Sequence, residues 1–388
     1  MRFFVLITTV ALLALSCSST DDTNVDASAP SSTTTAGPSS SVAPTATAPS
    51  TSTSTSTTTS ASEPEATTTT EVDFAAVTEW NQVVHGEGCV CSDGSEFAFW
   101  EQAADPTKVV FFLQGGGACW TTETCDPIDG PYQKVLEDGP NNTGIFNRGM
   151  ADNPFADYSY VYVPYCTGDA HLGNATTVYS DDLTVEHRGA VNAMSALDWM
   201  VSQYPDAADV FVTGLSAGSI PVPVYAVAAG ERLPGAAIVG LGDASGAYPS
   251  SAEVFGEFAE SWGIDESPIL DAAFAEALTT DGFAGLFIEA ANRNPDIDFG
   301  RIDYDSDFVQ SFFITLAGLD SSSVLRASID ANETLIEAAG VELSDFVMAG
   351  TLHTILGGDT FYDGTAGGVE LVEWVGALAR GEQPPDAG

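Results

Sequence analysis

The feature that most constrains this chain lies near its middle. Asp209-Val-Phe-Val-Thr213 is a β-prone run that feeds directly into Gly214-Leu215-Ser216-Ala217-Gly218. A helix can follow, with Pro221 and Pro223 in its first turn or so, where missing N–H groups matter least. A G-x-S-x-G between strand and helix is the pattern of a nucleophile elbow, a strained turn that presents a serine hydroxyl above a parallel sheet. The flanking glycines are needed because side chains there would collide with the neighbouring strand and helix. In isolation the same five residues also describe a small-residue turn with no chemistry, so the surroundings must decide.

Those surroundings alternate. Val109–Leu113, Tyr160–Val163, Val210–Thr213 and Ala236–Leu241 read as buried strands. Glu186–Gln203, Glu253–Trp262, Leu270–Leu278, Asp307–Leu316 and Asn332–Ala339 read as helices. Alternation of this kind predicts an α/β fold, a three-layer sandwich with a mostly parallel central sheet covered on both faces. The segment Ser251–Gly300 is expected to place helices over the site.

A serine nucleophile needs oxyanion donors, a base and an acid. Gln114-Gly115-Gly116-Gly117-Ala118-Cys119-Trp120 follows the strand Val109–Leu113, and a Gly run there can turn backbone N–H groups toward a reacting carbonyl. The expected donors are the amides of Gly116, Gly117 and Ala217, with Trp120 close to the substrate. A phosphate loop of the Gly-Lys-Ser/Thr type is absent. The histidines are His85, His171, His187 and His353, and only His353 follows Ser216. For the acid, spacing leaves Asp243, Asp303, Asp305 and Asp307 open.

Charge narrows the function classes. The chain has 10 Lys+Arg against 55 Asp+Glu, a formal net charge of −45. No basic cluster exists to neutralise phosphates, which argues against nucleic acid as a partner and against charge-driven docking on an anionic membrane. Four histidines are too few for a His-rich metal cluster.

Residues 1–17, MRFFVLITTVALLALSC, have the form of a signal peptide, and Ala14-Leu15-Ser16-Cys17 resembles a lipobox with Cys17 as the lipidated residue. Residues 18–72 read as a disordered linker; 40 of the 44 residues from Ala27 to Thr70 are Ser, Thr, Ala or Pro, too little apolar bulk to repay ordering. The expectation is a domain over residues 73–388, outside the cell membrane, tethered only by an N-terminal lipid or secreted. Its charge is nine basic against 49 acidic side chains, or −40. That setting favours disulfides. Cys119 and Cys125 are near enough in sequence to staple one loop, and either Cys89 or Cys91 could pair with Cys166.

Several blocks in order resemble the pectin acetylesterase family, which includes Notum-type carboxylesterases. They are Cys91-Ser-Asp-Gly-Ser95, Leu113-Gln-Gly-Gly-Gly-Ala-Cys-Trp120, Gly144-Ile-Phe146, Asn153-Pro-Phe155, Val163-Pro-Tyr-Cys-Thr-Gly-Asp169 and Gly214–Gly218. The resemblance covers roughly Glu87 to Gly358. It implies an α/β-hydrolase fold and ester hydrolysis without metal or cofactor. Its Asp-x-x-Gln pattern maps to Asp307-Phe308-Val309-Gln310 and so selects Asp307 as acid; its histidine maps to His353. Asp243 would then sit beside the site in a structural or substrate-positioning role. The family blocks also suggest Cys91–Cys166 pairing, with Cys89 as a departure.

The expected protein is a monomeric serine carboxylesterase acting on acyl, chiefly acetyl, esters, with an acetylated polysaccharide as the leading substrate class. A thioesterase or a protein or lipid deacylase is the neighbouring alternative. A tethered binding protein without turnover, or an adhesin, is the alternative from another class.

Overall fold

The computed structural model describes residues 74, 77, 79–84, 86–137, 139–319 and 325–388. The signal segment, Cys17, the linker and His85 lie outside the described residues. One compact unit spans Thr69–Gly388.

Its centre is an eight-stranded sheet. The strands are β1 (Asn81–Val83), β2 (Phe99–Gln102), β3 (Asp105–Leu113) and β4 (Tyr158–Val163), then, after a separate hairpin of β5 (Ala175–Ser180) and β6 (Leu183–His187), β7 (Asp209–Leu215), β8 (Ala237–Asp243), β9 (Asp298–Tyr304) and β10 (Leu343–Met348). Their order across the sheet is β1-β2-β4-β3-β7-β8-β9-β10. β2 runs antiparallel to both β1 and β4, and every pairing from β4 to β10 is parallel. Without the hairpin this is the strand order of an α/β-hydrolase.

The apolar runs explain why the sheet is buried on both sides. Side chains alternate across a strand. In β3, Val109, Phe111 and Leu113 enter one core, shared with β7 residues Val210 and Val212. Val110 and Phe112 enter the other, with Tyr160, Tyr162 and Phe211. The first core is closed by α1 (Gly189–Gln203), α2 (Val222–Arg232), α3 (Ala252–Trp262) and α4 (Ala272–Arg293). The second is closed by the C-terminal helix Leu371–Ala379 through Leu371, Trp374, Val375 and Leu378. α5 (Phe308–Leu316) and α6 (Leu325–Ala338) lie between β9 and β10 in the chain.

The expected elements are present with different ends. The helix expected from Glu186 begins at Gly189, because Glu186 and His187 are strand residues paired with Thr176 and Ala175. The β5–β6 hairpin outcompetes the helical spacing there. The helix expected over Leu270–Leu278 continues to Arg293 as α4, with a break at Gly282 (φ 63°). Its start is set by Asp271, whose side chain accepts from the amides of Ala273 and Phe274.

Two disulfides tie the site's approaches to the sheet. Cys91–Cys166 joins the segment before β2 to the loop after β4 across 75 residues. By loop-closure entropy that is worth roughly 4.5 kcal/mol. Cys119–Cys125 closes a short loop beyond the Gly run. Cys89 is a free, half-buried thiol.

Candidate active site

Ser216 stands at the C-terminal end of β7, near the middle of the sheet, with φ +53°. A non-glycine residue in this left-handed region marks stored strain, and the position follows from the close passage of β3. Gly218 shows how close: a Cβ there would lie 2.1 Å from the Leu113 carbonyl oxygen and 2.7 Å from that of Gln114. The chain then runs through Pro221 into α2, with Pro223 in its first turn.

β3 delivers the Gly run to the same place. Gly117 takes φ +74° and forms a bridge with Tyr132, while the Gly116 carbonyl accepts from the Gln133 amide. A cleft of about 400 Å³ is lined by Gly116 and Gly117 from this loop, Ser216 from the elbow and His353 from the far edge. The structure thus brings Ser216, His353, Gly116 and Gly117 around one space.

His353 lies in the loop after β10. Its Nδ1 is 2.6 Å from Asp307 Oδ2. Asp307 is fully buried and caps α5, with Oδ1 accepting from the amides of Val309 (2.8 Å) and Gln310 (3.1 Å). Gln310 Nε2 donates to Asp307 Oδ2 at 3.2 Å. Four donors, counting the ring N–H, therefore converge on this carboxylate, and an oxygen that accepts at Nδ1 fixes the proton of His353 there. Among the described residues Nε2 of His353 is buried and has no hydrogen-bond partner, and His353 lines the same cleft as Ser216.

The other acids do different things. Asp243 is fully buried and holds the loop beyond His353, its Oδ2 accepting from the amides of Ile355 (2.7 Å) and Leu356 (2.8 Å). Among the described residues its Oδ1 has no partner, and burial pushes its carboxyl up to about 7. It is not among the described residues lining the cleft or the adjoining apolar cavity. Asp303 is pushed up to about 6, again by burial, and accepts from Gly246 N (3.0 Å) and Gln310 Nε2 (2.8 Å). Asp305 accepts from the Gly350 amide at 3.0 Å. Gln310 thus bridges Asp303 and Asp307, a role absent from the sequence reading of single residues, although Gln310 stands in the Asp-x-x-Gln block.

His171 and His187 are structural in this arrangement. His171 Nε2 lies 2.9 Å from the Gln114 carbonyl, and His187 sits between the Thr167 carbonyl and the Tyr179 hydroxyl. Burial lowers both to about 4, so both are neutral.

A second cavity, about 50 Å³, shares Ser216 and Gly117 with the cleft. Gly117, Ala217 and Trp120 line it, with Phe255 and Phe258 of α3, Phe283 of α4 and Phe313 of α5 among its aromatic walls. The expected helices from Ser251–Gly300 are therefore in the wall of the site. Glu137, Asn141 and Thr143, which line the larger cleft, come from a loop whose sequence carries no motif.

The pectinacetylesterase family model matches residues 66–261. That span holds Ser216, the Gly run, Trp120, Asp243 and all four disulfide cysteines; Asp307 and His353 lie beyond it. No curated protein matches the chain. With the α/β fold and the ordered motif blocks on the same residues, the match has one meaning: this chain belongs to the pectinacetylesterase family, carboxylic ester hydrolases that act on acetyl esters.

Proposed function

We propose that the protein is a serine esterase that removes acetyl groups from hydroxyls of a glycan, with Ser216 as nucleophile, His353 as base and Asp307 as the acid that orients it. The observation carrying this reading is the Asp307–His353 pair, 2.6 Å apart, whose His353 lines the same cleft as a strained serine.

The chemistry follows. His353 Nε2 takes the Ser216 proton as the hydroxyl oxygen attacks the ester carbonyl carbon. Amides of Gly116, Gly117 and Ala217 hold the oxyanion, each worth about 2.7–4 kcal/mol. The tetrahedral intermediate expels the alcohol, protonated by His353, and leaves an acetyl-enzyme. Water, deprotonated by His353, attacks that ester, and collapse returns Ser216 and acetate.

Two cavities meeting at Ser216 support a division of labour. The apolar one suits the acyl group and the cleft suits the alcohol. A water-sized group needs roughly 10–15 Å³, so about 50 Å³ admits only a few heavy atoms. That favours acetyl over longer chains. The signal-like N-terminus, Cys17 and the two disulfides support work outside the cell membrane, lipid-anchored or secreted. The lining of the small cavity, almost wholly aromatic and aliphatic, keeps a lipid or protein deacylase as the second reading, should those rings move aside.

A chain-length series separates them. With p-nitrophenyl acetate, butyrate and octanoate, kcat/KM is expected to be highest for acetate and to fall at least tenfold by octanoate. Ser216→Ala should remove the activity in every case. A maximum at octanoate would transfer the assignment to the deacylase.

A further inference from the structure

The folded domain has nine basic side chains, and every one is engaged away from the site. Lys108, Arg188, Arg232, Arg293, Arg301, Arg326 and Arg380 are each ion-paired to a carboxylate. Lys134 donates to the Gly130 carbonyl and lies over the Tyr132 ring. Arg148 is buried, donating to Gln102 and to the carbonyls of Ala156 and Tyr158. Among the described residues, neither cavity at Ser216 has a Lys or Arg in its lining.

The cleft does contain a carboxylate. Glu137, exposed, lines it together with the uncharged polar residues Gln114, Asn141, Thr143 and Thr354. Sites that take carboxylate-bearing ligands present Arg or Lys to them, often as a two-pronged clamp. This one presents amides, hydroxyls and a negative charge, in a domain at −40 whose field repels anions before contact. Its volume of about 400 Å³ leaves room for a sugar unit, whose hydroxyls match those neutral groups.

We propose that the leaving-group side of the site is selective for an uncharged, O-acetylated sugar and discriminates against an acetylated uronate, with Glu137 as a specificity-determining residue. The proposal rests on the esterase reading above and adds to it which alcohol is released. It separates this chain from the acidic polymer that the family description names.

The test uses one sugar in three forms at C6, one charged and two neutral. Mono-O-acetylated methyl galactoside, the matching galacturonate and the galacturonate methyl ester differ only at C6. Acetate release is measured for the full chain in low salt and in about 1 M NaCl, where the screening length falls to about 3 Å. The galactoside and the methyl ester are expected to be processed at similar rates. The free uronate should be slower by on the order of tenfold in low salt, the scale of one like-charge contact in a partly screened cleft. High salt and Glu137→Gln should each raise the uronate-to-galactoside ratio several-fold. Equal rates in low salt or a uronate preference would overturn the proposal and leave the esterase reading standing; hydrolysis of p-nitrophenyl acetate with no sugar ester processed would overturn the proposal and the glycan part of that reading, leaving only Ser216-dependent ester hydrolysis. Loss of Ser216-dependent hydrolysis on every ester would bring down both.

Discussion

Asp307→Asn is expected to lower kcat for acetyl-ester hydrolysis by about 10⁴-fold while the domain stays folded. The cause is the direction of one hydrogen bond. The amides of Val309 and Gln310 donate to Asp307 Oδ1, so an asparagine at this position directs its carbonyl oxygen at them. Its NH₂ group then faces His353 Nδ1, where a carboxylate oxygen had accepted. The imidazole must answer with a lone pair on Nδ1, which moves its proton to Nε2. A ring protonated at Nε2 cannot take the Ser216 proton. The new NH₂ also meets the Gln310 amide, a donor against a donor, at a cost of about 1–3 kcal/mol in stability. Asp243→Asn and Asp305→Asn provide the contrast, since neither residue touches the ring. Single-turnover acetate release, with circular dichroism as the fold control, checks the prediction. A near-silent Asp307→Asn beside a crippled Asp243→Asn would show that the acid had been assigned to the wrong residue.

Gly218→Ala should be among the most damaging small substitutions at the elbow. The added Cβ would sit 2.1, 2.6 and 2.7 Å from the Leu113 oxygen, the Leu113 carbon and the Gln114 oxygen. All three are backbone atoms at the end of β3, so no side chain can rotate away. Relief requires parting β3 from β7 where the Gly run and Ser216 meet. A loss above about 4 kcal/mol is expected, in the range reserved for specific structural damage. Gly256→Ala within α3 is the control. Nothing lies within 4 Å of the Cβ it would add, and alanine in a helix interior gains about 0.5–1 kcal/mol over glycine. The urea midpoints of the two variants should therefore move in opposite directions. Similar midpoints would mean that the strand contact is softer than its geometry.

How much of this could be read in the sequence differs between fold and site. The sheet's middle was legible because β3, β4, β7 and β8 are buried on both faces and so appear as unbroken apolar runs. The elbow was legible because sterics restrict its residues. The start of α1 was misplaced because the helical spacing of Val191, Met194, Leu197 and Val201 was extended back to Glu186, and only pairing with β5 makes Glu186 and His187 strand residues. The acid was not legible from spacing. Asp303, Asp305 and Asp307 follow one another within five residues, and what separates them is three-dimensional. Asp303 faces Gly246 and Gln310, Asp305 turns to Gly350, and Asp307 alone reaches His353. The family resemblance pointed to Asp307, and the hydrogen bonds give a physical reason for that position. Glu137, Asn141 and Thr143 were invisible because a cleft wall assembled from loop residues leaves no periodicity.

The central claim is that Ser216 is a nucleophile activated by His353. It is tested most directly by treating the full chain with a fluorophosphonate, which phosphonylates only an activated serine, and mapping the adduct by peptide mass. The account predicts one adduct per chain on the peptide containing Ser216, none in Ser216→Ala, and much slower labelling in Asp307→Asn. A folded chain that stays unlabelled, or carries its adduct on another residue, would contradict it.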